Sequence, residues 1–121
     1  VPGTIVIDHF ARIATADGPD APPYQSLLRL LRHDNVWEKL MGPYFISDGF
    51  PHYPDIKPFA RGMIAAAPDR VVWGSDWPHP SAREKMPDEG DLADMLAEWV
   101  PDAAQRKKIL VDNPRRLYGF D

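Results

Sequence analysis

The sequence has 121 residues, of which 44% are hydrophobic and 26% charged, and its formal net charge is -4. This length and composition predict one ordinary soluble domain with a single small core. Acidic and basic residues are interspersed, which argues against the basic patch of a nucleic-acid-binding surface. Cysteine is absent, so disulfides and thiolate chemistry are excluded, and no apolar run reaches the ~20 residues needed to span a bilayer. We therefore expect a cytoplasmic protein that binds neither nucleic acid nor membranes.

The first half of the chain predicts two strands separated by a helix. A β-branched run at Thr4–Asp8 predicts a buried strand that ends at His9. Leucines at helical spacing predict a helix over residues 24–33, after a loop rich in Gly, Pro and Asp. The run Val36–Leu40 predicts a second strand. Residues 47–54 form a long loop of Gly, Pro, Asp and aromatic residues, and long loops in compact domains are often functional.

The second half predicts a third strand enclosed by helices. The short apolar run that ends at Trp73 predicts a strand covered on both faces. Asp102 is predicted to cap one of the later helices and Asn113, directly before a proline, to cap the last. The predicted helices cover residues 55–67, 91–100, 102–111 and 115–118.

Alternation of strands and helices predicts right-handed βαβ units and a parallel sheet. Three parallel strands leave two bare edges, which invite pairing with other strands. A complete barrel needs eight strands and about 250 residues. We therefore expect residues 1–121 to form part of a larger fold, completed by a missing portion or by other copies of the chain.

Chemically active residues follow the first and third predicted strands. His9 comes directly after the first, and Asp76 follows the third in the stretch Gly74-Ser75-Asp76-Trp77-Pro78. Parallel α/β folds place their sites at the carboxyl ends of strands, so both side chains should meet at one rim. There an imidazole and a carboxylate can activate water and polarise an oxygen, or either can ligate a divalent ion. The alternatives are a hydrogen-bonded histidine at a strand end and a capping aspartate.

Four further residues are candidates for substrate contact. Tyr44 follows the second strand, His52 and Tyr53 lie in a loop that could cover a pocket, and His79 lies between two prolines near Asp76. Each of them has a plainer interpretation as a packing or supporting residue.

These motifs stand in the order found in a known family. They are Val6-Ile7-Asp8-His9, Lys39-Leu40-Met41-Gly42-Pro43-Tyr44, Val72-Trp73-Gly74-Ser75-Asp76-Trp77-Pro78-His79-Pro80 and Asn113-Pro114-Arg115-Arg116-Leu117-Tyr118-Gly119-Phe120. Together they resemble the amidohydrolase-related family, in the branch of 2-pyrone-4,6-dicarboxylate lactonase and sugar-acid lactonases. The resemblance covers nearly the whole chain. It implies an α/β fold, the C-terminal part of a (β/α)₈ barrel with about strands six to eight.

The resemblance also implies roles for the two rim residues. His9 would bind or polarise the substrate carbonyl, and Asp76 would be the base that activates water, touching a divalent ion such as Zn²⁺ in metal-using relatives. Two departures stand out: no His-x-His pair occurs in the chain, and Phe45 stands where the pyrone lactonase has a carboxylate-binding Arg. Phenylalanine cannot supply that bidentate, charge-assisted pair.

The function expected from the sequence is addition of water to a small lactone or similar cyclic ester, with little activity in the isolated chain. The alternatives are a metal-dependent nonoxidative decarboxylase of the same family and a non-catalytic truncated product or assembly subunit.

Overall fold

The computed structural model describes residues 3–120 and contains the predicted parallel sheet. The strands β1 (Ile5–Ile7), β2 (Val36–Leu40) and β3 (Val71–Trp73) lie in sequence order with β2 in the centre. Ile7 of β1 and Val71 of β3 both pair with Glu38 of β2. The carboxyl ends of all three strands therefore meet at one edge of the sheet.

Helices follow each strand close to the positions expected. The helices are α1 (Pro22–Leu30), α2 (Lys57–Ala66), α3 (Glu89–Trp99), α4 (Ala103–Lys107) and α5 (Asn113–Tyr118). Helix α1 begins two residues before the predicted start, because prolines suit the first helical positions, where no intrahelical N–H bond is needed. Helix α3 also begins two residues early, since Asp88 accepts the N–H groups of Gly90 and Asp91.

One face of the sheet packs into the main core together with the helices. Val36 and Leu40 of β2 belong to the same buried cluster as Leu27 of α1, Met63 of α2 and Leu96 of α3. The central Glu38 shares this face by the two-residue period of a strand. Amphipathic helices on an apolar sheet face are thus the physical basis of the fold.

The C-terminal segment differs from the sequence prediction. One π-helical turn (Lys108–Asp112) joins α4 to α5, and Asp102 caps α4 as expected by accepting the N–H of Gln105. Asn113 is not the predicted cap: it is itself helical and fully buried, and its amide donates to the carbonyls of Pro68 and Val71. The side chain thus fastens the last helix to the start of β3.

No helix within residues 3–120 is long and apolar enough to cross a membrane.

Candidate active site

The two predicted rim residues lie side by side. Strand β1 ends at Ile7, earlier than predicted, and His9 opens a short turn with positive φ; Asp76 follows β3, also with positive φ. Nε2 of His9 lies 3.2 Å from Oδ1 of Asp76, although 67 residues separate them in sequence. Both groups are largely buried. The parallel sheet therefore creates this His9–Asp76 pair, as the strand-end argument requires.

Tyr44 completes the environment of the Asp76 carboxylate. It lies in the 3₁₀ turn that follows β2, and its hydroxyl donates to Oδ2 of Asp76. Burial, and next the bond to Asp76, raise the pKa of Tyr44 well above its usual range. The phenol is therefore a proton donor to Asp76 throughout the physiological range, and each oxygen of the carboxylate has one side-chain partner.

A glycine and an aromatic ring pack beneath the imidazole. Gly42 has φ 68°, and a Cβ there would lie 2.7 Å from the ring of Phe45 and 3.0 Å from that of His9. Only glycine accepts both this backbone conformation and this close approach. The centroid of the Phe45 ring lies 4.6 Å from that of His9, so Phe45 supports the imidazole.

A cation also packs on the Phe45 ring. The guanidinium carbon of Arg12 is 4.4 Å from the centroid of the Phe45 ring, a cation–π contact. Arg12 is exposed, and no carboxylate within residues 3–120 pairs with it. The rim therefore carries a free positive charge close to His9, at a residue that sequence reasoning did not single out.

His79 is buried behind Tyr44. Its ring is 2% exposed and meets the Tyr44 ring edge to face, with centroids 5.9 Å apart. Its Nε2 is hydrogen-bonded to Glu89 at the start of α3. Glu89 was missed from the sequence because α3 was predicted to begin only at Asp91.

The two remaining candidates, Tyr53 and His52, differ in burial. Tyr53 is buried and lines, with Tyr44, a cavity of about 400 Å³ beside the rim. His52 is exposed and lies 3.9 Å from the carboxylate of Asp91. The structure thus brings His9, Asp76 and Tyr44 into direct contact, with His79 and Tyr53 around them and His52 at the surface.

The sequence profile of the amidohydrolase family matches residues 1–120. The chain belongs to the amidohydrolase family. Two of its curated relatives are named as hydrolases of lactones. The 4-sulfomuconolactone hydrolase of Rhizobium radiobacter is 49% identical over 95% of this chain and 39% of its own length. The 2-pyrone-4,6-dicarboxylate hydrolase of Comamonas testosteroni is 41% identical over 98% of this chain and 42% of its own.

Solved amidohydrolases have the same fold. The probable 2-pyrone-4,6-dicarboxylic acid hydrolase of Acinetobacter baumannii, solved with citric acid bound, is 30% identical with a TM-score of 0.80. The match covers 97% of this chain and 44% of that one. The chain spans about two fifths of the length of these relatives and corresponds to a three-stranded portion of their (β/α)₈ barrel. The α/β barrel expectation is thereby confirmed.

One solved structure of the same fold contains a metal ion. An amidohydrolase of Burkholderia multivorans with a TM-score of 0.77 and 22% identity contains zinc. A catalytic zinc takes three protein ligands. Within residues 3–120 no cluster of three His, Cys, Asp or Glu side chains has the geometry to hold an ion, and both oxygens of Asp76 already have partners. The residues that the structure describes therefore do not fit a complete zinc site.

Proposed function

We propose that His9, Tyr44 and Asp76 belong to a lactone-hydrolysing active site, in which they supply the general base and the group that binds the substrate carbonyl. The observation that carries the proposal is the Asp76 carboxylate held between His9 Nε2 and the Tyr44 hydroxyl at the carboxyl rim of a parallel sheet. A carboxylate fixed in this way is a suitable general base. The lactone-acting relatives support the choice of a cyclic ester as substrate.

The proposed reaction assigns one role to each group. Asp76 removes a proton from water while the water oxygen bonds to the lactone carbonyl carbon. As Asp76 takes up this proton, the Nε2–H of His9 turns from Oδ1 of Asp76 to the carbonyl oxygen, on which negative charge develops. The ring C–O bond breaks, and the proton held by Asp76 passes to the departing oxygen, which leaves a hydroxy acid. Tyr44 keeps the carboxylate oriented during both proton transfers.

The charge at the rim favours an acidic lactone. Arg12 pairs with no carboxylate within residues 3–120 and lies on the Phe45 ring, close to His9. A guanidinium pairs well with a carboxylate or sulfonate group. Arg12 would therefore bind the acidic group of the substrate, which Phe45 cannot do because it has no polar side-chain atom. We expect Arg12→Gln to raise KM for acidic lactones and to leave KM for neutral lactones unchanged. Equal KM changes for both classes would refute this role of Arg12.

The test of the function uses the protein with its barrel completed, by further strands or by further copies of the chain. We expect it to open acidic lactones from a panel, with the product acid detected by base titration. The variant Asp76→Asn should open lactones about 100-fold more slowly or worse, and the exposed Glu98→Gln should match the wild type as a control. Release of CO₂ from aromatic acids without lactone opening would favour the decarboxylase alternative and overturn the proposal.

The 121-residue chain alone should show little lactone hydrolysis. Its sheet has bare edges at β1 and β3, and it covers about two fifths of the length of its relatives. The completing partner is the remaining barrel strands or further copies of the chain. Turnover by the isolated monomer at the rate of a full-length relative would contradict this expectation. The cytoplasmic location expected from the sequence stays a prediction.

A further inference from the structure

The buried ring of His79 is attached to the candidate base through the backbone. The N–H of His79 donates to the carbonyl oxygen of Asp76 over 2.8 Å, so the two residues share one turn. Both have positive φ, a conformation that is costly for residues other than glycine and that surrounding contacts must maintain. A change in the position of the His79 ring therefore acts on the turn that presents Asp76.

The same ring is held by a single polar contact. Its Nε2 bonds to Oε1 of Glu89, and its buried Nδ1 has no hydrogen-bond partner within residues 3–120. Because a buried N–H without an acceptor is costly, the ring carries its proton on Nε2 and donates it to Glu89. The orientation of this imidazole thus depends on the Glu89 carboxylate.

The ring also supports Tyr44 from behind. The Tyr44 and His79 rings meet edge to face at an interplanar angle of 85°. Tyr44 in turn donates to Asp76, whose other oxygen contacts His9. A continuous series of contacts therefore leads from Glu89, on the first turn of α3, to the candidate base.

We propose that Glu89 is a positioning residue for this site: through the buried His79 ring it holds Tyr44, and so orients the Asp76 carboxylate. The inference rests on the proposed function for its catalytic consequence, but the geometric part stands on these contacts alone. The competing interpretation is that Glu89 only provides negative charge at the N-terminus of α3, where an acid stabilises the helix dipole.

Two substitutions separate the interpretations. Glu89→Gln keeps the length and the acceptor oxygen but removes the charge, whereas Glu89→Asp keeps the charge and shortens the reach. A positioning role predicts that Gln preserves the site and Asp disturbs it; a dipole role predicts the reverse. The same two changes at Glu98, an exposed residue on the same helix, serve as matched controls.

The geometric measurement is NMR of the protein labelled with ¹⁵N-histidine. We expect Glu89→Asp to shift the ring nitrogens of both His79 and His9, although Glu89 contacts only the first. Glu89→Gln should leave the His9 signals in place, as should both Glu98 variants. If Glu89→Asp moves His79 but not His9, or if Gln disturbs His9 more than Asp does, the positioning role is overturned.

The kinetic measurement follows lactone opening by the protein with its barrel completed. Glu89→Asp should lower kcat by about tenfold with little change in KM, because even a small displacement of a catalytic group slows the reaction. Glu89→Gln should recover most of kcat. A larger effect on KM than on kcat would also overturn the positioning role. If the wild-type protein opens no lactone, the proposed function fails, and the NMR result alone decides on Glu89.

Discussion

Glu38 makes the stability of this fold depend on pH in an unusual direction. Its side chain is 0% exposed in the centre of β2, and its carboxyl oxygens make no hydrogen bond of good geometry within residues 3–120, although the backbone N–H groups of Ala11 and Lys39 lie nearby. Burial raises the pKa of Glu38 from 4.5 to about 9, only partly offset by the nearby backbone of Ala11, while the charge of Asp8 raises it further. The folded protein therefore keeps this carboxyl protonated at neutral pH.

The sign of the effect follows from proton linkage. Above the unfolded pKa of 4.5, the unfolded chain releases the proton and the folded chain retains it up to about pH 9. The contribution of Glu38 to the free energy of unfolding should therefore be highest below about pH 4.5 and fall as the pH rises, by about 1.4 kcal/mol for each unit. Between pH 5 and pH 8 the expected loss from Glu38 is about 4 kcal/mol.

The variant Glu38→Gln tests this reasoning, since it has nearly the same shape and no proton to lose. Urea unfolding of wild type and variant at several values between pH 5 and pH 8 gives the difference in the free energy of unfolding. We expect the variant to gain relative to the wild type as the pH rises, while the exposed Glu98→Gln shows no such trend. A constant difference between wild type and Glu38→Gln would refute a buried, protonated Glu38.

Three further predictions concern the site and its support. Asp76→Asn should lower kcat for lactone opening by about 100-fold or more while the fold is retained by circular dichroism, because a general base supplies a factor of about this size; near-normal kcat would exclude Asp76 as the base. Tyr44→Phe removes one hydrogen bond to the carboxylate and should lower kcat by about tenfold, with KM nearly unchanged in steady-state assays. Asn113→Ala removes two buried hydrogen bonds, to Pro68 and Val71, and should cost about 2 kcal/mol in urea unfolding, and a change near zero would contradict that anchoring role.

The sequence predicts the strands and the meeting of His9 with Asp76 for a clear physical reason. Apolar β-branched runs specify buried strands, and parallel pairing brings their ends to one edge, so two residues far apart in sequence become neighbours. The contacts around the His9–Asp76 pair are harder to predict from the sequence. Glu89 lies in a segment without hydrophobic periodicity, and Arg12 reaches Phe45 only because the chain turns sharply after β1.

The residues whose backbone conformation is hardest to predict from the sequence are concentrated around the candidate site. Positive φ at residues other than glycine occurs, within residues 3–120, in the turn from His9 to Arg12, at Tyr53, at Asp76 and at His79. Residues with a Cβ adopt this backbone conformation only at a cost, even Asp and His, which tolerate it best, so contacts between strand ends help to hold it. The His9–Asp76 contact, the Tyr44 hydroxyl and the His79 ring are contacts of that kind. Substitutions in this group should therefore change the geometry of the rim before they change the stability of the core.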